Sequence, residues 1–249
     1  MSSTKSQSVP LQEAAKRERS LFLPIFSVLV IVEAVIEVYR LTIARYAMKP
    51  AVMLFLIINF YSESGRAKTP LGRTTFLALI ASIIGDIFLM FKEEIYFLLG
   101  LGAFAIAHVF YSYGYLSTIL KSNKKTDPVA LFARILPYLL YACFFYNLIK
   151  NNLGGLKIPV TFYICVLAFM GTLSLVRATH TTISSFKYTA IGSILFISSD
   201  SLIGLSMFYG VKGVWVSPAI MITYYVGQYL ISRGALQHIY VYENHSKSE

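Results

Sequence analysis

Residues 72–91 read GRTTFLALIASIIGDIFLMF. A helix of this length, at about 1.5 Å per residue, spans roughly the 30 Å hydrocarbon core of a bilayer. Beyond Arg73 the stretch holds a single ionisable side chain, Asp86. It therefore reads as a membrane-crossing helix carrying one buried acid, not as an amphipathic helix of a soluble protein. Seven further apolar runs flank it, at 21–39, 46–60, 95–120, 129–149, 158–176, 187–208 and 216–236, of which 46–60 is short for a full crossing. The run 21–39 is too long for a signal-peptide core, carries Glu33 and Glu37 and lacks a small-x-small cleavage site, so it counts as a retained first helix. The fold class that follows is all-α, a polytopic membrane protein with eight transmembrane helices over 21–236. Residues 1–20 are expected to be a disordered cytoplasmic tail and 237–249 a C-terminal cytoplasmic tail.

Composition agrees. Of 249 residues, 56% are hydrophobic, with 22 Lys+Arg against 12 Asp+Glu. So few charges exclude a disordered chain and argue against a water-soluble globule, and the eight runs leave no room for a separate soluble domain. The net charge of +10 would suit nucleic acid if the basic residues formed a patch, but they lie between apolar runs, so no nucleic-acid partner is expected. Their distribution sets topology instead. Six, namely Arg40, Arg45, Lys92, Lys150, Lys157 and Lys212, fall on one side of the bilayer, while Lys49 and Arg134 lie within helices and the other fourteen share the side of the N-terminal tail. The positive-inside rule then puts both termini in the cytoplasm, with a bacterial inner membrane or the endoplasmic reticulum as the host membrane. Cys143 and Cys165 both fall within apolar runs, offer neither a disulfide framework nor a metal motif, and are read as packing residues. The Tyr-rich segment ends and Trp215 are read as interfacial anchors.

A faint internal repeat runs through the chain. The third run has Gly85-Asp86 and the seventh has Ser199-Asp200 at a similar depth; in the fourth and eighth, His108 and Gln228 each precede a glycine, Gly114 or Gly234, by the same interval. This fits two parallel four-helix repeats.

Charges inside a bilayer are costly and usually face a protein interior or a wet cavity. Glu33, Asp86 and Asp200, on outgoing helices, and Lys49 and His108, on incoming ones, all fall in one layer roughly 20 Å from the cytoplasmic side. If they also share an azimuth, they line one cavity. Helical spacing supports that: Gly100, Phe104, His108, Tyr111 and Tyr115 share a stripe, as do Gly192, Phe196, Ser199 and Asp200, while Tyr225 and Gln228 share a face. Each group also has a plainer reading. Lys49 is close enough to the outer interface to snorkel, His108 alone reads as a hydrogen-bonded packing histidine, and Glu33 and Glu37 are expected to face water on the outer side. Asp86 and Asp200 resist a purely structural reading, because neither has a cheap partner in sequence.

The motifs Lys49-Pro50, Gly85-Asp86, Gly100-Leu101-x-x-Phe104-x-x-Ala107-His108-x-x-Tyr111, Gly192-x-x-Leu195-Phe196-x-x-Ser199-Asp200 and Tyr225-x-x-Gln228 occur in that order on five helices. Together they resemble the YhhN-like lysoplasmalogenase family. The resemblance covers about residues 46–236. It implies an eight-helix membrane hydrolase that cleaves the vinyl-ether bond of lysoplasmalogens to a fatty aldehyde and glycerophosphocholine or glycerophosphoethanolamine, with Asp86 and Asp200 as the catalytic pair. The first helix, with Glu33 and Glu37, matches nothing in the family pattern.

The chemistry is compatible with those residue types. Vinyl-ether hydrolysis is limited by protonation of an alkene carbon, which needs a carboxylic acid that still holds its proton near neutral pH, as a low-dielectric layer favours. A second, ionised carboxylate steadies the oxocarbenium ion and positions water. Asp86 is assigned as the carboxylate and Asp200 as the acid, although the reverse assignment satisfies the sequence equally. His108 and Tyr111 are candidates to orient an aspartate or water, Gln228, beside Tyr225, to hold the glycerol hydroxyl, and Lys49 to meet the headgroup phosphate as a point charge. The partners expected are a lysophospholipid substrate and membrane lipid; neither a metal nor an organic cofactor is required. The alternatives are a small proton-coupled transporter using the same acids and a non-enzymatic lipid-binding protein.

Overall fold

The computed structural model describes the backbone of residues 8–245 and the side chains of residues 21–241. The described residues form eight long helices and no strand: α1 (Ser8–Tyr39), α2 (Thr42–Glu63), α3 (Pro70–Phe88), α4 (Glu94–Lys121), α5 (Pro128–Ile149), α6 (Lys157–Val176), α7 (Ile183–Gly204) and α8 (Val216–His245). Seven are long and apolar enough to cross a membrane. The exception, α8, is diluted by Tyr224, Tyr225, Gln228 and Ser232, all of which are buried in the bundle. Its polarity therefore faces protein, and an interior helix need not look apolar in sequence. The architecture is that of an all-α polytopic membrane protein.

Helix starts are written locally. Thr69 caps α3 by accepting from the Gly72 N–H at 2.9 Å, Asp127 caps α5 from the Ala130 N–H at 3.0 Å, and Thr182 caps α7 from the Ser185 N–H at 3.2 Å. Pro70 and Pro128 occupy the first turns of α3 and α5, where a missing N–H does no harm. These three caps sit on alternate helices and so mark one face of the membrane. Two boundaries differ from the apolar runs. Helix α1 begins at Ser8, inside the stretch read as a tail, because 11–19 is rich in good helix formers such as Ala14, Ala15 and Lys16; residues 1–7 lie outside the described residues. Helix α2 starts at Thr42, ahead of the apolar run, directly after a tight turn in which Arg40 takes φ 55° and the Leu41 N–H bonds back to the Ile36 carbonyl at 3.0 Å.

The closest helix pairs are α3 with α4 and α7 with α8. The second is a backbone seam: a Cβ added at Gly192 would lie 2.7 Å from the Ile231 nitrogen, and one added at Gly227 would lie 2.9 Å from the Phe196 nitrogen. Only glycine permits that approach. Helix α5 is peripheral, packs chiefly on α6 and buries just Tyr138, Phe145 and Ile149. Cys143 on α5 and Cys165 on α6 are exposed on the outside of the bundle, which corrects their reading as packing residues: an apolar run gives depth in the membrane but not the face a side chain takes.

Candidate active site

Asp86, near the end of α3, is 2% exposed and held from two sides. Lys49 Nζ of α2 pairs with Oδ1 at 3.2 Å, and the Tyr224 hydroxyl of α8 donates to Oδ2 at 2.7 Å. Lys49 is itself buried, so it does not snorkel, and its ammonium is paired with the acid. Tyr225 donates to the Lys49 carbonyl at 3.3 Å and so supports the same corner through the backbone.

Asp200, near the end of α7, has a parallel arrangement with different partners. The Tyr163 hydroxyl of α6 donates to Oδ2 at 2.6 Å, and His108 Nε2 of α4 lies 3.2 Å from the same oxygen and 3.0 Å from the Tyr163 hydroxyl. Both contacts fall on Oδ2, which leaves Oδ1 for a ligand. The helix then changes to a π-helical turn at Leu205–Tyr209, and this local rewinding brings Phe208 into the wall of the cavity beside Asp200.

The two carboxyls do not share a hydrogen bond. An aromatic partition separates their partners: Phe104 and Phe196 meet edge-on at 6.2 Å, Tyr224 packs against both at 5.9 and 5.4 Å, and the His108 ring lies 4.8 Å from Phe196. The arrangement follows the four-plus-four pattern. Asp86 on α3 takes partners from α2 and α8, and Asp200 on α7 takes partners from α6 and α4, the helices four places along in each case.

Two clefts meet here. The first is narrow and almost wholly apolar, walled by Leu101, Phe104, Tyr141, Phe145, Leu167 and Phe208, with Asp200 and Tyr163 as its polar groups alongside Tyr141. The second, of about 300 Å³, is lined by Glu37, Arg45, Lys49, Lys92 and Ser217 together with apolar side chains. Leu89, Phe97 and Ile203 border both. The first, at about 40 Å³, has room for only a few heavy atoms, so what the pair shares with an amphiphile is the order of apolar and charged linings.

Tyr111 and Gln228, candidates for holding substrate or water, are buried and bond to each other, with the Tyr111 hydroxyl donating to Gln228 Oε1. The Gln228 amide in turn donates to Ser82 at 2.9 Å, tying α3, α4 and α8 together below the acids. The expectation that Glu33 and Glu37 face outer water is corrected. Glu33 is fully buried, with neither carboxyl oxygen hydrogen-bonded among the described residues, and Glu37 is buried and pairs with Arg45 at 2.8 Å. The tight α1–α2 turn brings Arg45 back onto α1, which periodicity within one helix does not reveal. Tyr163 and Tyr224 were not singled out by sequence. Tyr224 stands one turn before Gln228 and was legible on that spacing, whereas nothing on α6 marks Tyr163. Among the described residues no three His, Cys, Asp or Glu side chains gather as a metal site.

The fold and its paired acid sites define a polytopic helical membrane protein with buried carboxyls beside adjoining apolar and charged clefts. The chain belongs to the YhhN family, whose model matches residues 44–235. It is 27% identical over 193 residues to lysoplasmalogenase TMEM86A of Bos taurus, covering 76% of this chain and 75% of the relative. It is 28% identical over 195 residues to lysoplasmalogenase TMEM86A of Homo sapiens, with the same coverage of 76% and 75%. No solved structure matches the chain. The family match begins within α2, so α1 with Glu33 and Glu37 lies outside it.

Proposed function

We propose that this protein hydrolyses the vinyl-ether bond of lysoplasmalogens, giving a fatty aldehyde and glycerophosphocholine or glycerophosphoethanolamine, with Asp200 as proton donor and Asp86 as the second carboxylate. The observation that carries the reading is that Asp200 borders a narrow apolar cleft with one carboxyl oxygen unengaged, while that cleft adjoins a charged one lined by Glu37, Arg45, Lys49 and Lys92, in which Arg45 is paired with Glu37 and Lys49 with Asp86. The vinyl-ether end of the chain enters the first cleft, and the phosphate reaches the second, where Lys92 is the lining cation not paired with an acid among the described residues. The named relatives support the same substrate class.

In this mechanism Asp200 Oδ1 gives its proton to the alkene carbon not bonded to oxygen, and the electron pair of the C=C bond forms the new C–H bond. The remaining carbon and the ether oxygen share the positive charge, beside the carboxylate that Asp200 has become. Water adds to that carbon and returns a proton to Asp200, and the resulting hemiacetal collapses to aldehyde and glycerol hydroxyl. Tyr163 and His108 hold Oδ2 throughout, which fixes the carboxyl for a transfer to carbon that tolerates little misalignment. Asp86 anchors Lys49 at the charged cleft through their ion pair.

Mass spectrometry of products tests the assignment. Purified protein should release aldehyde from a lysoplasmalogen and no fatty acid from an ester lysolipid; Asp200→Asn should abolish aldehyde release while leaving the fold intact, and Asp86→Asn should abolish it at a cost in stability, because Lys49 is then a buried cation without its partner. Full activity in either variant removes the pair. Flux of protons in proteoliposomes without any product would favour a transporter instead.

A further inference from the structure

A second polar cavity, of about 450 Å³, lies at the end of the bundle where α1 begins and α8 ends, far along the helices from both aspartates. It opens between the start of α3, the end of α4, the α6–α7 turn and α8. Its walls include Lys121, Lys124, His180, His238, Thr69 and Thr118, and among the described residues no carboxylate lines it. Asp127, in the loop that follows Lys124, is engaged in capping α5. His180 is 4% exposed; its Nε2 meets Thr126 Oγ1 at 2.7 Å, and its Nδ1 is buried with no partner among the described residues.

Behind Thr118 stands another cation. Arg177 is fully buried and donates to Thr118 at 3.0 Å, Thr189 at 2.9 Å and Ser185 at 3.3 Å, with its guanidinium 5.0 Å from the centre of the Tyr115 ring. All of those partners are neutral, so its charge reaches the cavity uncancelled. The N-terminus of α3 adds a positive end at Thr69 and Pro70. Both histidines register this field. Burial, then Arg134 and Lys124, hold His180 below its ordinary value, and burial followed by Arg177 holds His238 down at about 4.

We propose that this cavity is a binding site for a phosphate monoester anion, held by Lys121 and Lys124 with hydroxyl and imidazole donors around it and Arg177 behind. A converging set of cations and neutral donors with no acid among them is the arrangement that recognises phosphate oxygens. Its position at the helix ends puts it at the level of lipid headgroups, so the phosphate belongs either to an anionic lipid or to a soluble phosphoester. Binding there ties α3, α4, α8 and the α6–α7 turn to one ligand, independently of the reaction at Asp200.

The test uses the full chain purified in detergent and in phosphatidylcholine nanodiscs. Thermal stability is measured with glycerol phosphate against chloride at matched ionic strength, and, separately, nanodiscs with and without phosphatidic acid are compared for stability and for lipid retained in native mass spectrometry. Stabilisation by glycerol phosphate assigns a soluble ligand, and selective retention of phosphatidic acid assigns a lipid; either supports the site. The double variant Lys121→Gln/Lys124→Gln alters only exposed side chains and should weaken that binding at least about tenfold, with aldehyde release in phosphatidylcholine unchanged. Absence of binding by both probes, or equal binding by the double variant, overturns the proposal.

Discussion

The two aspartates occupy matching places on α3 and α7, and each is gripped by one tyrosine hydroxyl and one nitrogen. They differ in what the nitrogen is and in what lies beyond it. Asp86 faces the ammonium of Lys49, each of its oxygens engaged, whereas Asp200 faces an imidazole and a hydroxyl on one oxygen and an apolar cleft on the other side. The same scaffold thus holds one carboxyl in a closed ion pair and leaves one oxygen of the other unengaged beside an apolar cleft. Duplicated geometry yields unequal surroundings once a single partner changes from ammonium to imidazole.

That contrast is most exposed to an Asp200→Asn change. Aldehyde release should fall by about 10³-fold, the scale of losing a positioned general acid, while the melting temperature moves little. A comparable loss of stability with it would mean that Asp200 is structural. The Asp86 side should behave in the opposite sense. Lys49→Met leaves a buried carboxylate without its cation and should destabilise the protein by about 3–5 kcal/mol in chemical denaturation. Adding Asp86→Leu to it should restore most of the stability without restoring turnover, and failure to recover would show that the pair is not the reason for the loss.

The tyrosines sharpen the comparison at lower amplitude. Removing a hydroxyl that bonds a carboxylate is worth roughly 1.5–3 kcal/mol. Tyr163→Phe should show it as a drop in kcat for aldehyde formation, and Tyr224→Phe as a drop in melting temperature; identical readouts from both would erase the distinction between the two acids. The smallest effect lies outside both sites. His238 is held at about 4 in the fold against an ordinary 6.5, so between those values the unfolded chain takes up a proton that the folded chain refuses. Stability should therefore decline as pH falls from about 6.5 towards 4, by on the order of 1 kcal/mol for a partly exposed ring, and the melting curve of His238→Gln should lose that dependence.

Much of this was legible in the sequence, and the limits have physical causes. Run length disclosed the helices, and depth along each run placed Lys49, Asp86, His108 and Asp200 in one layer, where the structure joins them as two pairs. Depth alone does not give azimuth, which is why Glu33 and Glu37 were expected in water and are buried against α2 and α8 neighbours instead. Tyr163 was hidden by abundance: among 18 tyrosines, those at segment ends look like interfacial anchors and nothing on α6 marks it, whereas the spacing of Tyr224 to Gln228 does mark that one. The low apolarity of α8 misleads in the other direction, since its polar residues face inward and composition records only that they are polar.

The glycine seam between α7 and α8 has a reach beyond its own contacts. Helix α7 carries Asp200, and α8 carries Tyr224, the hydroxyl that grips Asp86. With backbone against backbone at Gly192 and Gly227, the separation of α7 from α8 is set by main chain there, as on a rigid ruler with no compressible side chain between its marks. A single methyl group added there would shift both sites together, although neither glycine touches either acid.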